Sequence, residues 1–323
     1  MIILKKTNGL LSKYHIKGIY VLIVAYVIFV SFVNSSFMTW GNWMNLLRQV
    51  SVYGIMACGI TFVMIAGRTE LSAGMMISLL CEICCLFVVD GVDNQFLAVM
   101  IPIILGAALG LINGVLVGVV RLNSFVATMG TMSVFMGIGL YVYNNSRQLY
   151  ASQANRFFWH MGNSSVLGVP IPVIICAVTA IIAALVLKKT VFGQQVYAVG
   201  GNIVNARFSG INPTRILVIV YVISGTLTGL ASVVMTARVM GISSKMGAGF
   251  EFICLTAIVL GGVSVKGGKG NISGSLVGVL ILGILANSFT IMGVNPYMQY
   301  VIQGLILAAA VAVQMFGEKG GKT

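Results

Sequence analysis

The sequence predicts an all-α polytopic membrane protein with about ten spans. Two observations carry that prediction. Of 323 residues, 59% are apolar, enough for roughly nine or ten helices of ~20 residues each. Only 8% are charged, against about 25% in soluble domains, too few to cover a soluble globule of this size. A cytosolic enzyme, an extracellular binding module and a disordered chain are excluded together. Long continuous apolar runs, rather than alternating ones, exclude an outer-membrane barrel.

The first element is a cytoplasmic tail, 1–17, bearing Lys5, Lys6, Lys13 and Lys17, followed by an apolar run at 18–33. It resembles a secretory signal, but further spans follow, so it reads as an uncleaved first helix. Apolar stretches then fall near 52–66, 72–89, 98–120, 125–143, 170–187, 215–236, 250–265, 272–290 and 297–315. A transmembrane domain is therefore expected over 18–315, with a short cytoplasmic tail at 316–323. A polar, Gly-containing break at 67–70 reads as a broken helix inside the protein, since irregular backbone at membrane depth must be shielded.

Charge tests the count. Ten spans with both termini inside put 14 of the 19 Lys and Arg residues in cytoplasmic segments and 5 in external ones (Arg48, Arg147, Arg156, Arg238 and Lys245). This is the expected cytoplasmic excess, and one span more or fewer would invert everything downstream. The formal charge of +13 therefore reports topology. No basic run interleaved with aromatics points to nucleic acid, and none is expected to bind.

Glycines mark the helix faces. Gly106, Gly110, Gly114 and Gly118 recur every four residues, and Gly225/Gly229 and Gly274/Gly278 repeat the spacing. Small residues let membrane helices approach closely, so a packing role is expected. The six cysteines all lie in or beside apolar stretches and read as small apolar residues; no metal site is expected.

The longest cytoplasmic connection is 188–214. Asn202 is a good N-cap for about two helical turns over 203–209, Gly210 suits the left-handed position after them, and Asn212 with Pro213 starts the next span. So short a helix is marginal alone and must dock, either on its own protein or on a cytoplasmic partner. For the second case Ala206 permits close approach and Arg207 offers a charge.

The segments FGQQVYAVGGNIVNARFSGIN and VYVISGTLTGLASVV closely resemble permease subunits of bacterial ABC importers for ribose and related monosaccharides. GITFVMIAGRTELSAG at 59–74, NSFVATMGTM at 123–132, the run at 247–278 and GVNPYMQYVIQGLILAAAV at 293–311 agree, so the resemblance covers nearly the whole chain. It implies a multi-pass protein of the bacterial plasma (inner) membrane. It implies a second permease copy, identical or homologous, and a separate cytoplasmic ATPase subunit that hydrolyses ATP with magnesium. A periplasmic or lipid-anchored sugar-binding protein would deliver the substrate. This chain would bind no cofactor. The ATPase-coupling element would contain Gly193, Gly201, Asn202, Ala206, Arg207 and Gly210.

The chain departs from its relatives in places. The pattern G-G-I-D-L-S-x-G is here Gly67-Arg68-Thr69-Glu70-Leu71-Ser72-Ala73-Gly74, and Y-E-L-D-A is Phe250-Glu251-Phe252-Ile253-Cys254. Thr69, Glu70 and Ser72 are substrate-pathway candidates by the family pattern, although Glu70 can equally cap the helix beginning at Leu71. Glu251 is a further substrate-pathway candidate, and it can equally cap its own helix. Glu82 lies deep in a span, where a charge costs at least ~2.5 kcal/mol, and is either a sugar contact or a buried structural group. Asn123 and Thr128, with Asn113 and Ser124, are weaker candidates.

No P-loop is present: the nearest run, Gly262 to Gly270, has the wrong glycine spacing and a Gly where Ser or Thr should follow Lys. No metalloprotease or serine-hydrolase motif occurs, so the chain is not expected to be an enzyme. The competing reading is an ion-gradient-driven secondary transporter, in which Glu82 and the 67–70 break would hold the coupling ion.

Overall fold

The computed structural model describes residues 24–89, 95–145, 156–241 and 243–319. The predicted tail at 1–17 and the first residues of the first span lie outside the described residues. The described chain is all-α apart from one two-residue hairpin. Its helices are α1 (Val24–Val33), α2 (Trp40–Ile65), α3 (Ala73–Val89), α4 (Gln95–Gly114), α5 (Ser124–Asn145), α6 (Arg156–Asn163), α7 (Ile171–Lys189), α8 (Val191–Gly201), α9 (Ile203–Phe208), α10 (Pro213–Val239), α11 (Phe250–Leu260), α12 (Ile272–Ile291) and α13 (Pro296–Lys319). Strands β1 (Ser165–Val166) and β2 (Val169–Pro170) pair antiparallel between α6 and α7. A π-helical turn, Val115–Val119, extends α4.

Among the described residues six helices are long and apolar enough to cross a membrane: α2, α4 with its π turn, α5, α7, α10 and α12. Four shorter apolar helices fall on α1, α3, α11 and α13. Each of the ten lies on one predicted apolar stretch. The largest boundary difference is at α2, which begins twelve residues before the predicted 52. Its first turns carry Asn42, Asn45, Arg48 and Gln49, so apolarity does not reveal them.

Two compact units partition the chain. The smaller comprises Met1–Leu46 and Ile281–Thr323. Within it Asn42 and Asn287 exchange reciprocal amide hydrogen bonds of 3.0 and 2.8 Å. Tyr26 bonds Ser288, and Asn34 accepts from the backbone N–H of Ser36 at 2.9 Å, starting a short 3-10 helix.

The larger unit, Leu47–Leu280, holds the site. Its axis is the α4–α10 pair. A Cβ on Gly106, Gly110 or Gly114 would lie 2.3 Å from the Gly225 carbonyl, 2.3 Å from the Tyr221 carbonyl or 2.9 Å from the Val218 Cα. Gly118 is looser, 3.1 Å from the Thr214 carbonyl. In return a Cβ on Gly225 would meet the Gly106 carbonyl at 2.1 Å and one on Gly229 the Pro102 carbonyl at 2.4 Å. The two backbones touch over about four turns, which maximises dispersion contact where lipid supplies no hydrophobic drive. Gly261 and Gly274 repeat the device between α11 and α12. Cysteine behaves as a small apolar filler here: Cys81 Sγ donates to Ser232 O at 3.5 Å and Cys84 Sγ to Ala98 O at 3.6 Å.

The connections meet in two groups. Gly268 N–H donates to Ile65 O at 2.8 Å, Tyr197 OH donates to Gly270 O at 2.7 Å, and Thr69 bonds Ser124. Those contacts join segments 65–71, 121–124, 188–214 and 264–271. Separately, Arg48 donates to Asn163 O at 3.0 Å, and Asn163 Nδ2 donates to Ala237 O at 3.3 Å. None of these contacts joins a connection expected on one membrane side to one expected on the other.

Candidate functional site

The break between α2 and α3 is the polar centre. Helix α2 ends in a Schellman motif: Gly67 N–H bonds Met64 O at 2.9 Å and Arg68 N–H bonds Val63 O at 3.1 Å, with Gly67 at φ +75°. The chain then continues without regular structure, half-buried through Thr69 and buried from Glu70 to Ser72. Glu70 Oε1 accepts from Ser72 N–H at 2.7 Å and from Ser72 Oγ at 2.6 Å. Its Oε2 accepts from Asn113 Nδ2, on α4, at 3.1 Å. Asn113 Nδ2 also reaches Ser72 Oγ at 2.8 Å, and Asn113 Oδ1 accepts from Thr131 Oγ1, on α5, at 2.7 Å. Tyr221 OH, from α10, donates to Thr69 O at 2.7 Å. Thr69 N–H and Oγ1 meet Ser124 Oγ at 3.2 and 3.1 Å.

The irregular segment thus finds side-chain partners on α4, α5 and α10. Glu70, Ser72 and Asn113 are 1%, 0% and 0% exposed, so both carboxyl oxygens of Glu70 are spent inside the protein. Thr69 and Ser124 are half-buried and form the accessible edge of the network. Asn123 is exposed and caps α5, accepting from Phe125 N–H at 2.9 Å. Thr128 is buried and returns its hydroxyl to Ser124 O at 2.7 Å.

Glu70→Ala removes the acceptor for three donors in one step. At about 1–3 kcal/mol per stranded buried group, the expected loss of stability is about 3 kcal/mol, and Glu70→Gln, which keeps a carbonyl acceptor, should lose less than half of that. Thermal unfolding of the two variants in detergent measures it. Equal unfolding of Glu70→Ala and the unsubstituted protein would remove the network from the account.

The other two acids stand elsewhere. Glu82 faces Gly139 of α5, whose added Cβ would lie 2.9 Å from Oε2. Glu251 packs against the first turn of α3 at Gly74. Both are buried, and the Oε2 of each lacks a hydrogen-bond partner among the described residues. The structure therefore brings Thr69, Glu70 and Ser72 together with Asn113 and Ser124. It leaves Glu82 outside that group.

The second part of the site is the 188–214 connection. It holds two helices, where the sequence suggested one. The additional helix, α8, is capped by Thr190, whose Oγ1 accepts from Gly193 N–H at 3.1 Å. Gly193 is needed there because a Cβ would lie 2.1 Å from Leu187 O, where α7 turns into α8. Helix α9 starts at Asn202, whose Oδ1 accepts from Val204 and Asn205 N–H at 3.0 Å each. It ends at Gly210, φ +79°, with Gly210 N–H on Arg207 O and Ile211 N–H on Ala206 O, both 3.0 Å.

Ala206 faces inward and is 3% exposed. That is the self-docking alternative for this residue, because the inward face of so short a helix must find its packing partner within the protein. The outward face carries Val204, Arg207 and Phe208, the last 87% exposed.

Glycines distant in sequence form a junction behind α9 that local spacing does not link. A Cβ on Gly200 would lie 1.7 Å from Ile65 O and 2.8 Å from Gly268 N; one on Gly267 would lie 2.6 Å from the Gly67 Cα. Gly201, which the sequence favoured, is exposed with nothing within 4 Å of a built Cβ. The α8–α9 element therefore abuts, backbone to backbone, the same break that carries Thr69 and Glu70. Tyr197 of α8 donates its phenol O–H to Gly270 O at 2.7 Å, and partial burial pushes that phenol above its ordinary range. Only the run Gly267-Gly268-Lys269-Gly270 signalled that region in the sequence.

The family model described as branched-chain amino acid transport system / permease component matches residues 42–311. The chain is 39% identical over 285 residues to the ribose import permease protein of Bacillus subtilis (strain 168), covering 88% of each chain. It is 35% identical over 295 residues to the D-allose transport system permease protein of Escherichia coli (strain K12), covering 91% of this chain and 89% of the relative. It is 32% identical over 303 residues to the L-arabinose transport system permease protein of the same strain, covering 94% and 90%. No solved structure matches the chain.

Proposed function

We propose a mechanism for this chain from one premise: it belongs to the family of permease components of the branched-chain amino acid transport system type. It is the membrane-embedded permease subunit of an ABC sugar importer, not an enzyme, and ATP is hydrolysed on a separate subunit. The substrate is a ribose-like monosaccharide; identity to ribose, allose and arabinose permeases over most of the chain supports that class. Both termini are cytoplasmic and ten helices cross the inner membrane, a topology supported by the 14-to-5 charge bias and by the two segregated groups of connections.

The observation that carries the mechanism is the α9 surface. Val204, Arg207 and Phe208 form the face that a cytoplasmic ATPase subunit grips, with the ring of Phe208 as its apolar anchor. Movement of that face passes through α8 and the glycine junction to the 65–72 segment. Glu70 and Ser72 hold the segment together. Thr69, Ser124 and Asn123 at its edge offer hydroxyl and amide groups suited to a neutral sugar. A periplasmic or lipid-anchored binding protein delivers the sugar, and a second permease copy completes the path.

The test pairs two variants. Phe208→Asp with Arg207→Glu should reduce retention of the ATPase subunit by tenfold or more, because truncating a central anchor costs about 2 kcal/mol or above. Ala206→Leu should instead lower the thermal stability of the permease itself. ATP-dependent uptake in proteoliposomes holding all subunits supplies the functional readout. Retained complex and uptake in the double variant, or uptake by the isolated chain under an ion gradient, would overturn the mechanism.

A further inference from the structure

The α6–hairpin segment, Arg156–Pro170, carries backbone strain at its tip. Strands β1 and β2 are joined by Leu167 and Gly168, at φ +52° and +81°. Two positive φ angles make this the turn that favours Asn-Gly, and a leucine in its first central place is strained. Its side chain is also 99% exposed, beside Val166 at 52% and Val169 at 43%. A strained backbone that presents a fully exposed apolar side chain points to a medium outside the chain.

The position identifies that medium. Helix α7 begins at Ile171, directly after β2, and is 19 residues long. At 1.5 Å per residue it spans about 28 Å, barely the ~30 Å hydrocarbon core, so its first residue sits at the boundary of the bilayer. Leu167 is four residues earlier, at most ~13 Å of extended chain away. The segment is also rigidly seated. Phe158 is fully buried, a Cβ on Gly162 would lie 2.1 Å from Ala237 O, and Ile171 N–H bonds Ser164 O at 3.1 Å. Phe157 and Trp159, on either side of Phe158, remain 42% and 41% exposed, and Trp is a residue type enriched at membrane–water boundaries.

We propose that this segment is a membrane-surface anchor, with the Val166-Leu167-Gly168-Val169 turn inserted between lipid headgroups and the upper acyl chains. The anchor fixes α6 and the hairpin, and through Asn163 and Gly162 the end of α10, relative to the bilayer plane. Docking of a soluble binding protein is the alternative occupant. The tip, Ser165–Pro170, carries no charged side chain for such a transient contact, and its level beside the start of α7 favours lipid.

The test uses the full-length permease with its partner subunits in phospholipid nanodiscs. A nitroxide is carried on Leu167→Cys, with Ser244→Cys, an exposed polar position away from the α9 face, as the aqueous control and the unsubstituted chain as background. Residue 167 should show several-fold higher relaxation by oxygen than by a water-soluble nickel chelate, and residue 244 the reverse. A nickel-accessible label at 167, or protection that develops only on adding the binding protein, would overturn the proposal. A second variant removes the apolar tip without breaking the turn. Leu167→Asn suits φ +52°, so its thermal stability in detergent should equal or exceed that of the unsubstituted protein. Its stabilisation on transfer from detergent to nanodiscs should be smaller; an unchanged gain would count against the anchor. Neither readout requires transport, so failure here leaves the importer mechanism intact, and the converse.

Discussion

Gly110→Leu is expected to reduce recovery of folded protein at least tenfold, as measured by fluorescence-detected size exclusion after mild solubilisation. The reason is backbone contact. A Cβ there lies 2.3 Å from Tyr221 O and 3.1 Å from the Gly225 Cα, and neither group can rotate aside. A leucine must push α4 and α10 apart along the whole face shared with Gly106, Gly114 and Gly229. Overpacking in an adaptable core costs about 1–3 kcal/mol; here the neighbours are helix backbones and the cost lies above that range. Separation also strains the Asn113 amide on α4, which holds Glu70 and Thr131 at 3.1 and 2.7 Å. Gly130→Leu on α5 is the control, since nothing lies within 4 Å of its built Cβ. It should be recovered within twofold of the unsubstituted chain. Equal loss in both variants would mean that any bulky residue at a membrane glycine is harmful, and the α4–α10 contact would lose its special standing.

Gly200→Ala should abolish ATP-driven uptake while the ATPase subunit stays bound. The added methyl would sit 1.7 Å from Ile65 O, so α8 must withdraw from the end of α2. That opens the junction linking α9 to the 65–72 break but leaves Val204, Arg207 and Phe208 on the outer face. Gly201→Ala, one residue along, enters open space and should keep uptake within twofold. The informative readout is the ratio of sugar moved to ATP hydrolysed in proteoliposomes. A merely unfolded variant loses both activities; an uncoupled one keeps hydrolysis and loses uptake. Normal coupling in Gly200→Ala would show that force reaches the break by another route.

Much of this site was legible in sequence because capping is local. Asn202, Gly210, Asn212 and Pro213 each act on backbone groups within five residues, and each occupies the position that the local rules assign. Helix α8 was missed because its sequence, VFGQQVYAVGG, contains three glycines and no long apolar run, and helical structure there depends on the Thr190 cap and packing. Glu70 shows the boundary of such reasoning. Its bond to Ser72 N–H is a local cap, readable from spacing, whereas its bond to Asn113 joins residues 43 apart in sequence.

The class of protein and the approximate positions of the apolar helices follow from sequence alone, because transfer into lipid is additive over short windows and needs no knowledge of neighbours. Three-dimensional packing is what turns Ala206 inward, sets Gly200 rather than Gly201 against the broken helix, and saturates Glu70 while the Oε2 atoms of Glu82 and Glu251 have no hydrogen-bond partner among the described residues. Those outcomes depend on which atoms of distant helices arrive within about 3 Å, the range over which hydrogen bonds and steric overlap act.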